Sequence, residues 1–228
     1  MILVTGILIA FSLESWWTER GEQKQERAHL TALRADFLQN RERLDSVAVM
    51  LGQVQHAGAA LLRAVQDPRR APAADSLSSL VAAVFRLVGF EPVTSAYDNL
   101  VNAHDLKLVQ DAQLRLALAT FASHVVWVKE VERWQNEQWV FLNQSFINER
   151  IEVSDLSRYW VGAESRVRLP RSSSITDWPV VLRDRTFRNI VLQRIIAADD
   201  VRRTQQALHG QTNQILELLE EAISARNR

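Results

Sequence analysis

The sequence predicts an all-α protein: an N-terminal membrane helix continuing into a long helix packed in an antiparallel helical bundle, with one long irregular segment. Three observations carry this. Apolar residues recur every three or four positions over long stretches, the spacing of one helix face. Glycine and proline are scarce, 7 and 5 among 228 residues, fewer than a sheet-rich or loop-rich fold uses. Alanine, leucine, arginine, glutamine and glutamate are frequent, and all are good helix formers.

The first element opens with MILVTGILIAFSL, reaches Trp16 and Trp17, and turns charged at TERGEQKQERAHL. The apolar run is shorter than the ~17–25 residues that span a bilayer. Counting to Trp17, and so accepting Glu14, gives roughly 25 Å of helix against a ~30 Å hydrocarbon core. Residues 1–17 are still read as a membrane anchor, because charge begins abruptly after them. Trp16 and Trp17 suit the interfacial belt, where an indole keeps its N–H wet and its ring among acyl chains. No basic n-region or small-residue cleavage site marks a signal peptide. Arg20, Lys24, Arg27 and Arg34 follow the segment. The positive-inside bias then puts residues 18–228, a helical extramembrane domain, on the cytoplasmic side of a bacterial inner membrane. A buried helix of a soluble core is the competing reading of the run.

Leu30, Leu33, Phe37, Asn40, Leu44, Val47, Leu51, Val54, Gly58, Leu61 and Val65 step by three and four without a break. They share one stripe with a period near 3.5. Asn40 and Gly58 lack apolar side chains, and a polar residue in such a seam can fix register. A helix packed on its own domain is favoured over self-association through this first helix. Pro68 and Pro72 end it. Ser76 is expected to cap a short helix, SLSSLVAAVFRLVG, closed by Gly89. Thr94 or Ser95 is expected to cap AYDNLVNA, with Tyr97, Leu100 and Val101 on one face.

Three blocks carry a resemblance. GILIAFSLESWWTER with HLTALRADF, which supplies Leu30, Leu33, Asp36 and Phe37, is similar to the start of a widespread bacterial family of uncharacterised single-pass membrane proteins. SAYDNLVNAHDLKLVQDAQLRLAL resembles the central segment of that family, and DRTFRNIVLQRI its C-terminal helix start. The resemblance implies a membrane anchor followed by a long charged helix. It carries over no catalytic residue.

His104-Asp105 leads into Leu106, Leu108 and Val109, a brief alternation read as a turn or one short strand. Asp111 is expected to cap a long helix running to about Val153. Its main stripe is Leu114, Leu118, Phe121, Val125, Val128, Trp139, Leu142 and Phe146, with Trp127, Val131 and Trp134 widening it. Trp127, Trp134 and Trp139 are accordingly read as core. Residues 154–184 break the pattern and are read as irregular. Asp184 is expected to cap the last helix. Its stripe is Phe187, Ile190, Val191, Ile195, Val201, Leu208, Ile215, Leu218 and Ala222, and Gly210 is expected to admit a neighbour.

Net charge is zero, from 27 basic and 27 acidic residues. That argues against a general nucleic-acid binder, which carries a basic excess. The absence of cysteine removes disulfides, thiolate metal sites and cysteine nucleophiles. No two of the five histidines stand at a helical metal spacing. No phosphate-cradling glycine loop, nucleophile elbow or calcium loop is present. His104-Asp105 comes nearest to a catalytic pair, and a turn role outweighs it. Neither an enzyme nor a cofactor is expected.

The irregular segment carries the expected partner site. Trp160 and Trp178 have no helix face there to hide on, and Arg158, Arg166, Arg168 and Arg171 surround them. Tryptophan beside arginine is the composition of interface hot spots, and long irregular segments are often functional. The expected function is a membrane-anchored accessory subunit that contacts membrane lipid and docks on a larger integral-membrane protein complex, respiratory or photosynthetic. The alternative is a ligand-binding or sensory helical domain that signals through the first helix.

Overall fold

The computed structural model describes the backbone of residues 2–160 and 175–225 and, within them, all side chains except those of residues 2–13, 138, 139 and 141–143. Among the described residues the protein is all-α, with no strand. The order is α1 (Ile2–Gln66), a 3₁₀ turn (Pro68–Arg70), α2 (Ala74–Val84), α3 (Ser95–Asn102), a second 3₁₀ turn (Asp105–Leu108), α4 (Ala112–Arg150), α5 (Val153–Trp160), α6 (Trp178–Arg183) and α7 (Arg185–Ala225). Two compact units form. One comprises Met1–Arg43, Glu91–Val125 and Ala207–Arg228, the other Leu44–Phe90 and Val126–Gln206. Each of the long helices α1, α4 and α7 contributes to both.

In the first unit Leu30, Leu33 and Phe37 of α1 are buried, as are Leu100, Leu114, Leu118, Phe121, Leu208 and Ile215. Phe37 and Phe121 meet with ring centroids 4.9 Å apart. Asn40 is fully buried; its amide donates to Val93 O (2.8 Å) and its Oδ1 accepts from Val93 N (2.7 Å). The polar step in the stripe thus ties the chain ahead of α3 to α1 and leaves none of that buried amide's pairing to chance. Asp36 caps α3 from outside its own sequence, its Oδ2 accepting from Ala96 N (2.7 Å) and Ser95 Oγ (2.9 Å). Thr94 instead bonds Asp98, 2.7 Å away. His104 takes the left-handed conformation, φ 60°, and opens the second 3₁₀ turn, so the alternation after it is not a strand.

In the second unit the α1 stripe continues through Leu44, Val47, Leu51, Val54 and Leu61. Near its end Ala57 and Ala64 are fully buried while Val65 is only half-buried, as expected when a 3.5-residue pattern drifts on a 3.6-residue helix. Gly58 lies against α7 so closely that a Cβ would stand 2.6 Å from Ile195 Cγ1. The core of this unit takes Leu77 and Val81 from α2, Leu156 from α5, Trp178 and Val181 from α6, and Phe187 and Ile190 from α7. Buried Arg194 closes the C-terminal end of α2, donating from Nε to Val84 O (3.1 Å) and from Nη2 to Arg86 O (2.6 Å). Burial lowers its pKa to about 10, leaving the cation intact at neutral pH.

Several expectations are corrected. Among the described residues no helix is long and apolar enough to cross a membrane. The membrane anchor over residues 1–17 and the bacterial inner-membrane localisation are therefore overturned. The physical reason lies in the length of the run: α1 meets Glu14, Glu19, Arg20, Glu22 and Lys24 within about three turns of the end of its apolar run at Leu13. Trp16 and Trp17 are exposed, pack edge to face at 5.4 Å, and Arg20 covers the Trp16 ring at 4.8 Å. Within residues 154–184, read as irregular, residues 154–160 and 178–183 are helical, and α4 ends at Arg150 rather than near Val153. α2 begins at Ala74, two residues before Ser76, and ends at Val84, well before Gly89. Val101 is exposed. At the end of α7 the fully buried positions are Leu216 and Leu219, while Leu218 and Ala222 are half-buried. A Cβ at Gly210 would meet nothing, so no neighbour approaches it.

The capping expectations at Asp111 and Asp184 hold. Asp111 Oδ1 accepts from Gln113 N (2.7 Å) and Leu114 N (3.0 Å), and Asp184 Oδ1 accepts from Thr186 N (2.7 Å).

Candidate partner-binding surface

The rotation of α4 decides which of its side chains reach solvent. Val125, Val128 and Glu132 face inward and are buried. Glu132 is held on three sides. Its carboxylate accepts from Phe90 N (3.0 and 3.3 Å) and from Gln205 Nε2 (3.0 Å), and Lys129 Nζ stands 4.0 Å from it while donating to Phe90 O (3.1 Å). A buried carboxylate is tolerated only when it is paired and hydrogen-bonded in this way. These bonds fix the helix in rotation.

At ~100° per residue, Trp127 lies about 140° around the helix from Glu132 and Trp134 about 160°. Both therefore point away from the core. Trp127 is 62% exposed and Trp134 61%. They are seven residues apart, so they share a face at a separation of roughly 10 Å. Val126 and Val140 are also exposed, about 100° and 120° around the helix from the tryptophan nearer in sequence. Between the tryptophans Arg133 bonds Glu130 (2.7 Å) and Glu137 (2.9 Å). The Glu130 bond, then the Glu137 bond, raise the Arg133 pKa. The face carries both aromatics, and Arg133 balances one of its two carboxylates.

The expectation that Trp127 and Trp134 are core is thus reversed. The signal was present in the spacing. Leu114, Leu118, Phe121, Val125 and Val128 keep one phase, to which Glu132 belongs, and the tryptophans fall on the opposite side. The side chains of Trp139 and Leu142 lie outside the described residues.

The residues expected to bind a partner are placed differently. Trp178 is 4% exposed and belongs to the core cluster. Asp177 Oδ1 accepts from Val180 N (3.2 Å), and this cap starts α6 with Trp178 turned inward. Trp160 is 41% exposed, and its Nε1 donates to Ala82 O (3.0 Å). Tyr159 donates to Asp75 O (2.8 Å). Arg158 bonds Asp75 Oδ1 (2.6 Å), which raises its pKa, and lies 4.8 Å from the Tyr159 ring centroid. Arg158, Tyr159 and Trp160 thus fasten α5 to α2. Arg166, Arg168 and Arg171 lie outside the described residues.

Other polar groups form ordinary surface pairs. His29 Nε2 lies 3.5 Å from Asp105 Oδ2, and His124 Nδ1 lies 3.1 Å from Gln211 Oε1. Asp199 is bonded by Arg202 (2.9 Å), with Arg203 and Gln55 close by, and these contacts, the Arg202 bond foremost, lower its pKa. Among the described residues no group of three or more histidine, aspartate or glutamate side chains could hold a metal ion. Comparison with models of protein families, with curated proteins and with solved structures finds no match.

Proposed function

We propose that this chain is a structural accessory subunit that joins a larger protein assembly through the outer face of α4. One observation carries the reading: Trp127 and Trp134 stand exposed on one face of a helix whose rotation is locked by buried Glu132. Large aromatics left in water are costly, and aromatic clusters of this kind are enriched where proteins meet. A rigid helix presents them with little ordering to be done on binding. Arg133 is neutralised by Glu130 and Glu137 within the helix, which leaves one negative charge, so recognition rests on the two indoles. The fitting partner is a protein surface with an apolar groove able to take two indoles.

The expected packing of α1, α4 and α7 as an antiparallel bundle suits this role, since it gives the face a stiff support. The test uses the full chain in its native host, with a photo-crosslinking phenylalanine placed at Val126 or Val140. A discrete adduct with one protein is expected. Joint substitution W127A and W134A should abolish it, each tryptophan contributing at least ~2 kcal/mol if it is a hot spot, while W160A should leave it intact. No adduct from either position, or an adduct untouched by the double substitution, overturns the proposal.

A further inference from the structure

The second unit holds a cleft of about 410 Å³, remote in sequence from the outer face of α4. Its walls are the stretch from Pro68 to Leu77 on one side and that from Thr176 to Arg183 on the other. The volume falls within the ~300–1,000 Å³ of small-molecule sites, which are mostly apolar with a few placed polar groups. Here the apolar surface comes from Pro72, Leu77, Trp178 and Leu182, and the charged groups are Arg69 and Arg183.

The balance of charge selects the ligand. Among the described residues no acidic side chain lines the cleft. The carboxylates nearest in sequence are engaged elsewhere: Asp67 with Arg70 (3.5 Å), Asp75 with Arg158 (2.6 Å), Asp177 as the cap of α6 and Asp184 as the cap of α7. Among the described residues Arg69 and Arg183 have no acidic partner. Two unpaired guanidiniums beside an apolar wall, each able to bind a carboxylate in bidentate fashion, favour an anion joined to an apolar body. Trp178 adds a further donor. It is 4% exposed, lines the cleft, and its Nε1 has no hydrogen-bond partner. Buried donors without partners are rare in native proteins.

We propose that this cleft binds a small amphipathic carboxylate, its apolar chain against Leu77 and Trp178 and its carboxylate on Arg69 and Arg183. The inference goes beyond the docking role of α4 and does not depend on it. The probes are octanoate, octanol and octylamine, titrated calorimetrically into the full-length protein. Octanoate is expected to bind at least ~10-fold more tightly than either analogue, since only its carboxylate can take charge-assisted hydrogen bonds from the two guanidiniums. R69Q and R183Q should each weaken octanoate by roughly that factor. Both arginines are exposed, so melting temperatures should not change. A71W, which fills the cleft from a half-buried position, should abolish binding. Equal binding of octanoate and octanol, undiminished octanoate binding by R69Q and R183Q, or no octanoate binding at millimolar concentration overturns the proposal. None of these outcomes bears on crosslinking from Val126 or Val140, so the two readings fail separately.

Discussion

Residues 126–140 of α4 and residues 153–183 around α5 and α6 both concentrate tryptophan, and they dispose of it in opposite ways. The regular, strongly apolar helix leaves Trp127 and Trp134 in solvent. The stretch that reads as irregular takes Trp178 into the core and ties Trp160 to α2. Apolar content predicted the reverse in both places. In α4 the phase of the helix decided the matter, and that phase is set by buried Glu132 as much as by Val125 and Val128. In α6 the decision lies with Asp177, whose cap begins a helix of six residues with Trp178 facing inward. In each case a polar side chain accompanies the apolar phase, Glu132 in α4 and Asp177 at the start of α6.

The comparison can be broken by mutation, beginning with the largest expected effect. Trp178→Ala should destabilise the protein by about 3–5 kcal/mol, the usual cost of truncating a buried tryptophan. Urea denaturation checks it, and a loss below ~1 kcal/mol would place Trp178 outside the core. Trp160→Phe keeps an aromatic ring, though a smaller one, and removes the donor to Ala82 O. About 1 kcal/mol should be lost, the net worth of one hydrogen bond; an unchanged midpoint would show that α5 is held by Arg158 and Tyr159 without it. Trp127→Ala and Trp134→Ala should each change stability by no more than ~0.5 kcal/mol, as for exposed positions. If either costs as much as Trp178→Ala, the assigned phase of α4 is wrong and the docking face with it.

Much of the helical scaffold was legible. The α1 stripe from Leu30 to Leu61 is buried at each of its ten positions, Asn40 and Gly58 included. The caps at Asp111 and Asp184 were readable because capping acts within a few residues. The cap of α3 was not, because Asp36 reaches Ala96 across 60 residues of sequence. The candidate surface was legible in phase alone. Trp127 and Trp134 carry the same apolar label as the core residues around them, but they lie opposite the stripe from Leu114 to Val128, and the partners of Glu132 show that this stripe is the buried one.

The sequence alone determined that the chain is helical, where its long helices lie, and which stripe of α1 is buried. These follow from periodicity, from the scarcity of glycine and proline, and from caps that act locally. Tertiary structure decided the direction of the tryptophans, the outside cap on α3, the close approach of Gly58 to Ile195, and the cleft beside Trp178. Each of these rests on groups distant in sequence, such as Glu132 with Phe90 and Gln205 or Leu77 with Trp178. A pattern read along one helix carries no record of what a second segment brings to it.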